Sequence, residues 1–279
     1  MKYFTPILLL LLFLTIDSAC QSYTVMTFNL RYNNPSDGIQ QWSNRKEFTL
    51  DIIKDHQSDI IGIQEGLLDQ VQFLDQNLPG YQREGVGRSD GIDKGEFAAI
   101  YFKSNRFKKI EGGTFWLSET PNKPAMGWDA AVIRICTWVK LQDISTGKKI
   151  LFLNTHFDHI GEIARYESAL LIVRKANELS KDGYSVIITG DFNSTIDSKQ
   201  IKEILLTYDD SRSISEALPE GTEGTFHDFG RLNEPLQRID FIFLKKGEWH
   251  VLNYITDIRK KGEIFSSDHY PVIAKIKTL

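Results

Sequence analysis

Short β-rich runs far outnumber helical ones in this chain, and that ratio limits the fold more than any other feature of the sequence. Segments rich in Val, Ile, Phe and Thr and bounded by Gly, Asn or Asp fall at 23–29, 59–64, 97–102, 132–141, 149–154, 185–189, 239–244 and 272–277, and read as eight strands. Apolar residues three or four apart predict helices only at 45–56, 67–78, 162–179 and 199–206. This pattern does not fit a regular βαβ alternation; it fits helices covering the outer faces of stacked sheets. The expected class is α/β of the α+β type, a two-sheet sandwich flanked by helices. No Pro/Ser-rich linker or low-complexity stretch divides the runs, so residues 23–279 are expected to form one domain.

The segment 1–22 reads differently. Met1-Lys2, an apolar run over 7–16 and then Asp17-Ser18-Ala19-Cys20 are the parts of a secretory signal, and the run is too short for an ordinary membrane span. Export is the expectation, with the mature protein periplasmic, extracellular or membrane-anchored by a lipid on Cys20. Against lipidation stand Asp17, a poor fit three residues earlier, and the strand from Tyr23, which leaves almost no tether. Either way Cys136 remains as a lone thiol, expected to be a small buried hydrophobe, so neither a disulfide framework nor a thiolate-rich metal site can form. Thirty-three Lys and Arg against 37 Asp and Glu give a net charge of −4, which excludes a global basic field for collecting polyanions.

Polar residues gather where the strands end. Thr27-Phe28-Asn29-Leu30-Arg31 closes the first run, and Gln64-Glu65 the second. Asn154-Thr155-His156-Phe157-Asp158-His159 and Gly190-Asp191-Phe192-Asn193 close two more, Asp240 lies inside a β run, and Ser267-Asp268-His269 precedes the last. Side chains at strand ends are held by a rigid sheet yet face an open rim, where a preorganised site is expected. Each cluster alone has a bland explanation: Asn29 or Asn193 in a turn, Glu65 capping a helix, His156 or His269 as a structural imidazole, Asp240 satisfied by backbone amides. Six such coincidences together are a different matter, and they point to one shared pocket.

Carboxylate and amide oxygens without thiolates favour a hard cation, Mg²⁺ or Mn²⁺, which keeps waters and binds substrate phosphate oxygens. Zinc is disfavoured because the six His form no paired-His helix motif. Two imidazoles beside acids offer a base for activating water and a donor for charge growing on phosphate. Metal-assisted phosphoester hydrolysis follows.

On Gly190-Asp191-Phe192-Asn193 and Ser267-Asp268-His269, supported by Thr27-Phe28-Asn29 and Gln64-Glu65, the chain resembles the endonuclease/exonuclease/phosphatase superfamily of DNase I-like metal-dependent phosphoesterases, from about Tyr23 to the C-terminus. The resemblance implies a four-layered α/β sandwich of two mainly antiparallel sheets between helices. It implies Glu65 as principal Mg²⁺ ligand, with Asn29 beside it and Asp268 on the far side. It further implies His269 as the base oriented by Asp240, with Asp191 as the competing base. His156 then donates to a phosphate oxygen, while Asp191 and Asn193 orient water and phosphate. Substrates of such enzymes include nucleic acids, phospholipids and small phosphate esters; no stable protein partner is expected and a monomer is. The alternatives are a two-carboxylate glycoside hydrolase using Glu65 and Asp191, which leaves His156, His269 and Asp240 idle, and a secreted binding sandwich without activity.

Other residues stay open. Trp116 and Trp128 either stack on a base or sugar or pack between sheet and loop. Asp158 and His159 either touch substrate or support His156, and Arg31 and Arg165 either reach phosphate or make ion pairs.

Overall fold

The computed structural model describes residues 22–233 and 236–279. The expected signal segment, with Cys20, lies outside them apart from Ser22. In chain order the elements are β1 (Ser22–Asn29), α1 (Trp42–His56), β2 (Ile60–Gln64), α2 (Leu68–Asn77), β3 (Tyr81–Glu84), β4 (Ile100–Lys103), β5 (Phe107–Trp116), β6 (Ile135–Asp143) and β7 (Lys149–His156). They continue with α3 (Glu162–Leu179), β8 (Ser185–Asp191), α4 (Lys199–Leu205), β9 (Tyr208–Asp210), β10 (Asp240–Lys245), β11 (Trp249–Thr256), β12 (Lys260–Lys261), β13 (Ile264–Phe265) and β14 (Val272–Thr278).

Two six-stranded sheets result, ordered β11-β14-β1-β2-β4-β3 and β5-β6-β7-β8-β10-β9. Each is antiparallel except for one interior parallel pair, β1 with β2 and β7 with β8. A parallel pair needs a crossover, and α1 and α3 supply the two crossovers.

Alternation along the strands builds the layers. Val25, Ile60, Phe152, Ile187 and Ile242 point into the gap between the sheets. Their neighbours Met26, Phe28, Ile61 and Ile63 face outward and pack with Leu50, Ile53 and Leu74 of α1 and α2. On the other sheet Leu151, Leu153, Ile188 and Phe243 pack with Ala169, Ile172, Ile201 and Ile204 of α3 and α4. The molecule is thus a four-layered sandwich, helices–sheet–sheet–helices. Each fully buried Ile or Phe contributes roughly 1.5–3 kcal/mol, so these three apolar layers carry the stability; Cys136, the one cysteine among the described residues, is a free thiol.

The eight strands expected from sequence are the eight interior strands. Of the six that sequence patterning passed over, β3, β5, β9 and β11 are the four edges of the large sheets, and β12 and β13 pair only with each other. An edge strand pairs on one side only and keeps more of its surface wet, so its residues need not be apolar. Lys108-Lys109-Ile110-Glu111 in β5 is exposed, and so passes for a loop.

The gap-facing residues change character along the strands in step. They run Val25-Thr27-Asn29 on β1, Ile60-Gly62-Gln64 on β2, Phe152-Asn154-His156 on β7, Ile187-Thr189-Asp191 on β8 and, in reverse, Leu244-Ile242-Asp240 on β10. The middle tier is a buried polar clamp: the Gln64 amide donates to Thr27 Oγ1 at 3.0 Å and to Asn154 Oδ1 at 2.6 Å, and Thr189 donates to the same Oδ1 at 3.1 Å. Asn154 in turn donates to the carbonyls of Ile63 at 2.7 Å and Ala99 at 3.0 Å, tying one sheet to the other. Gly62 is required there, because a Cβ would collide with Asn154 and Thr189. Above this clamp the sheets end in the acids and imidazoles.

Candidate active site

The strand ends open into a cleft of about 1530 Å³. On one wall, Asn29 is wholly buried at the end of β1, and its amide donates to Glu65 Oε1 at 3.0 Å and to Asp191 Oδ2 at 2.9 Å, bridging the two sheets. The Asn29 Oδ1 accepts from the Arg31 backbone N–H at 2.9 Å. Glu65 follows β2 directly and takes a left-handed backbone, φ 61°; its Oε2 accepts from the Tyr32 N–H at 3.0 Å. Arg31 and Asn193 also have positive φ, 54° and 45°. Such conformations are disfavoured for Arg and Glu, and they occur here because the surrounding contacts over-determine them.

Arg45 of α1 is one such contact. Fully buried, it donates to the carbonyls of Leu30 at 2.6 Å, Arg31 at 2.6 Å, Gln40 at 2.9 Å and Ser266 at 3.0 Å. It therefore fixes the turn after Asn29 against the turn before Asp268. Ser267 completes this link, donating to the Asn29 carbonyl at 2.6 Å and lying 3.1 Å from Asp268 Oδ1.

Next to Asp268, His269 Nδ1 lies 2.9 Å from Asp240 Oδ2 of the other sheet, and Nε2 lies 3.7 Å from Asp191 Oδ2. The Phe226 ring covers the imidazole with centroids 4.9 Å apart. His156 presents Nε2 to the cleft, 3.1 Å from the Asn193 amide and 3.5 Å from Asp191 Oδ2. Its Nδ1 lies 3.8 Å from Glu96 Oε2. All eight residues singled out in the sequence, Asn29, Glu65, His156, Asp191, Asn193, Asp240, Asp268 and His269, thus belong to one connected cluster.

Crowded carboxylates dominate the electrostatics. Burial together with the neighbouring Asp240 pushes Asp191 up to about 7. Burial and Glu65 push Asp268 up to about 6 and Glu96 up to about 7. Burial opposes ionisation of Glu65 too, but donors from Asn29 and Tyr32, with His269 and Arg31 nearby, keep its pKa below the ordinary value. For His269 burial works against the cation, yet Asp240, Asp191 and Asp268 outweigh it and push the ring up to about 10. His156 behaves oppositely: burial and the Arg134 and Arg88 guanidiniums hold it well below its ordinary value.

A divalent cation fits the acids of this cluster: burial and Glu65 raise Asp268, and a cation among these carboxylates would relieve that repulsion, whereas Asn29 turns its amide NH2 to Glu65 and its Oδ1 to the Arg31 N–H. Ligand atoms of Glu65, His156 and Asp191, and again of Asp191, Asp240 and His269, lie within 4.8 Å of one another.

The other residues that the sequence left open make structural contacts, and Arg31, His159 and Arg165 also line the cleft. Trp116 is buried, with its indole N–H on the Arg88 carbonyl at 2.7 Å, and Trp128 packs against the α3 layer. Asp158 accepts from the N–H groups of Ala131, Val132, Ile160 and Gly161, at 2.7 to 3.3 Å. Arg31 pairs bidentately with Asp37, and Arg165 donates to the Asp158 carbonyl. Arg88, Glu96 and Arg134 line the cleft and were not singled out in the sequence. The available signal was a charged residue, Arg134, inside an otherwise apolar β run.

A model of the endonuclease/exonuclease/phosphatase family matches residues 26–269. The chain belongs to this family. An endonuclease/exonuclease/phosphatase protein from Bacteroides vulgatus is 39% identical, with a TM-score of 0.89 over 93% of this chain and 100% of that one. A mannosyl-6-phosphatase from Bacteroides thetaiotaomicron is 37% identical, with a TM-score of 0.86 over 91% of this chain and 99% of that one. An uncharacterised protein of Acanthamoeba polyphaga mimivirus is 25% identical over 255 residues, 84% of this chain and 92% of that one. The family is one of phosphoester hydrolases, and the fold it shares is the DNase I-like sandwich described above.

Proposed function

We propose that this chain is an exported hydrolase of phosphoester bonds that depends on Mg²⁺ or Mn²⁺. The observation that carries this reading is the Asp240–His269 pair at 2.9 Å, whose Nε2 lies in the cleft 3.7 Å from the Asp191 carboxylate and 3.5 Å from the Asn29 amide. Glu65 would be the principal holder of the cation, with Asn29 and Asp268 beside it. When bound, the cation supplies charge neutralisation and polarisation of a phosphoryl oxygen.

The chain's own residues do the rest. The acids around His269 favour its protonated form, and a cation beside Glu65 and Asp268 would offset them and free Nε2 to take a proton from a water as that oxygen bonds to phosphorus; the bond to the departing oxygen breaks, and that oxygen takes up the proton to leave as an alcohol. Asp240 fixes the ring through Nδ1 and stabilises its protonated form. Asp191, within reach of both imidazoles, is the second group able to take the proton. His156 and Asn193 meet a non-bridging oxygen from the other side. The likeness to a mannosyl-6-phosphatase supports phosphorylated sugars as one substrate class. Export rests on the N-terminal pattern of 1–22.

The test is a panel of DNA, RNA, phospholipids and small phosphate esters with Mg²⁺. Hydrolysis of at least one, abolished by chelator, restored by Mg²⁺ and lost in Glu65→Ala, is expected. A wild-type protein inert on every phosphoester with either cation overturns the reading.

A further inference from the structure

Arg88, Glu96 and Arg134 line the cleft beside His156. Arg134 is 5% exposed, and its Nε and Nη1 have no hydrogen-bond partner. Its surroundings are short of acceptors: Glu96 Oε2 lies 3.9 Å from Nη1, Asp158 Oδ1 lies 3.6 Å from Nε, and only His159 Nδ1, at 3.1 Å from Nη2, is close. Asp158 is already committed to four backbone N–H groups. Arg88 bonds Glu96 at 2.7 Å, so two guanidiniums share essentially one available carboxylate. A buried guanidinium with idle donors is costly unless a ligand completes it.

The geometry points to Arg88 and Arg134 as a binding site for the terminal oxygens of a phosphomonoester dianion, which makes the enzyme a phosphomonoesterase acting end-on rather than a cutter of internal diesters. This rests on the phosphoester reading above and narrows it. A monoester carries about −1.5 to −2 charges at neutral pH where a diester carries one, and Arg recognises such oxygens with paired N–H donors. The charge balance agrees: both guanidiniums lie close enough to His156 to depress its protonation, so this is where the cleft wants an anion. Hydrolysis of such a substrate consumes one water and gives one alcohol and inorganic phosphate.

The experiment compares p-nitrophenyl phosphate with bis(p-nitrophenyl) phosphate in Mg²⁺ for wild type, Arg134→Gln and Arg88→Gln. The wild type is expected to prefer the monoester, and each variant to lower the monoester-to-diester ratio of kcat/KM at least about tenfold, in the range of a lost charge-assisted contact. Calorimetry with inorganic phosphate and dimethyl phosphate provides a second readout that does not need turnover: Arg88→Lys should lose affinity for the first more than for the second, even if Arg134→Gln does not fold. A wild type preferring the diester, or ratios unchanged in both variants, overturns the assignment while leaving phosphoester hydrolysis standing. Inertness of the wild type on both esters, and on the wider panel, instead removes the parent reading.

Discussion

At His269 the two ring nitrogens have different company: Nδ1 lies 2.9 Å from Asp240 and Nε2 lies 3.7 Å from Asp191. If Asp240 and His269 act as one unit, Asp240→Ala and His269→Ala should each lower kcat by about 10²-fold or more, with smaller effects on KM. The double variant should then cost far less than the product of the singles. Steady-state kinetics of the four proteins is the measurement, and multiplicative losses would move the base to Asp191. The eight residues of this cluster were legible in the sequence because each sits at a strand end next to an unmistakable apolar run. Glu96 and Arg88 were not, since they lie in the irregular stretch 85–99 before β4, where no periodicity marks which side chain turns inward. Arg45 was hidden for another reason: it looks like any helix-surface arginine until the carbonyls of the two flanking turns are placed around it.

At the scale of elements, Asp158 fastens the loop 127–134 to the start of α3. Its carboxylate accepts four backbone N–H groups, and although burial works the other way, these donors bring its pKa down to about 2. A carboxyl whose folded pKa is depressed stabilises the protein fully above its unfolded pKa, and that stabilisation is lost as pH falls through the folded value. Urea unfolding should therefore show wild-type stability declining between about pH 4 and pH 2. Asp158→Asn, which replaces one accepting oxygen by a donor, should be less stable by roughly 2–3 kcal/mol at pH 7 and should lack this component of the acid dependence. An Asn variant as stable as wild type at pH 7 would mean that the loop is held by other contacts. The helices were read from sequence nearly to their ends because α1 to α4 each bury one face on a sheet. The edge strands escaped because one-sided pairing leaves their composition free.

At the scale of the whole molecule, the cation proposed at Glu65, Asn29 and Asp268 would join turns fixed to β1, β2 and β14, so it should bind the folded chain and not the unfolded one. Mass action then gives about 2.7 kcal/mol at a cation concentration one hundred times Kd. For a domain of this size that is a rise in Tm of roughly 5–10 °C. A thermal melt with and without Mg²⁺ should show this rise in wild type and little of it in Glu65→Ala; equal rises would place the cation elsewhere. The interior of the molecule and the identity of its polar rim are legible in the order of residues alone. Two-residue periodicity and helical spacing are local, and a buried strand cannot avoid displaying them. Which rim groups meet across the gap emerges only on folding: Asn29 reaching Asp191, 162 positions away, Asn154 and Gln64 clamping the sheets, and Arg134 left with idle donors. Those relations depend on the order and register in which distant strands pair, and no local pattern along the chain records that order.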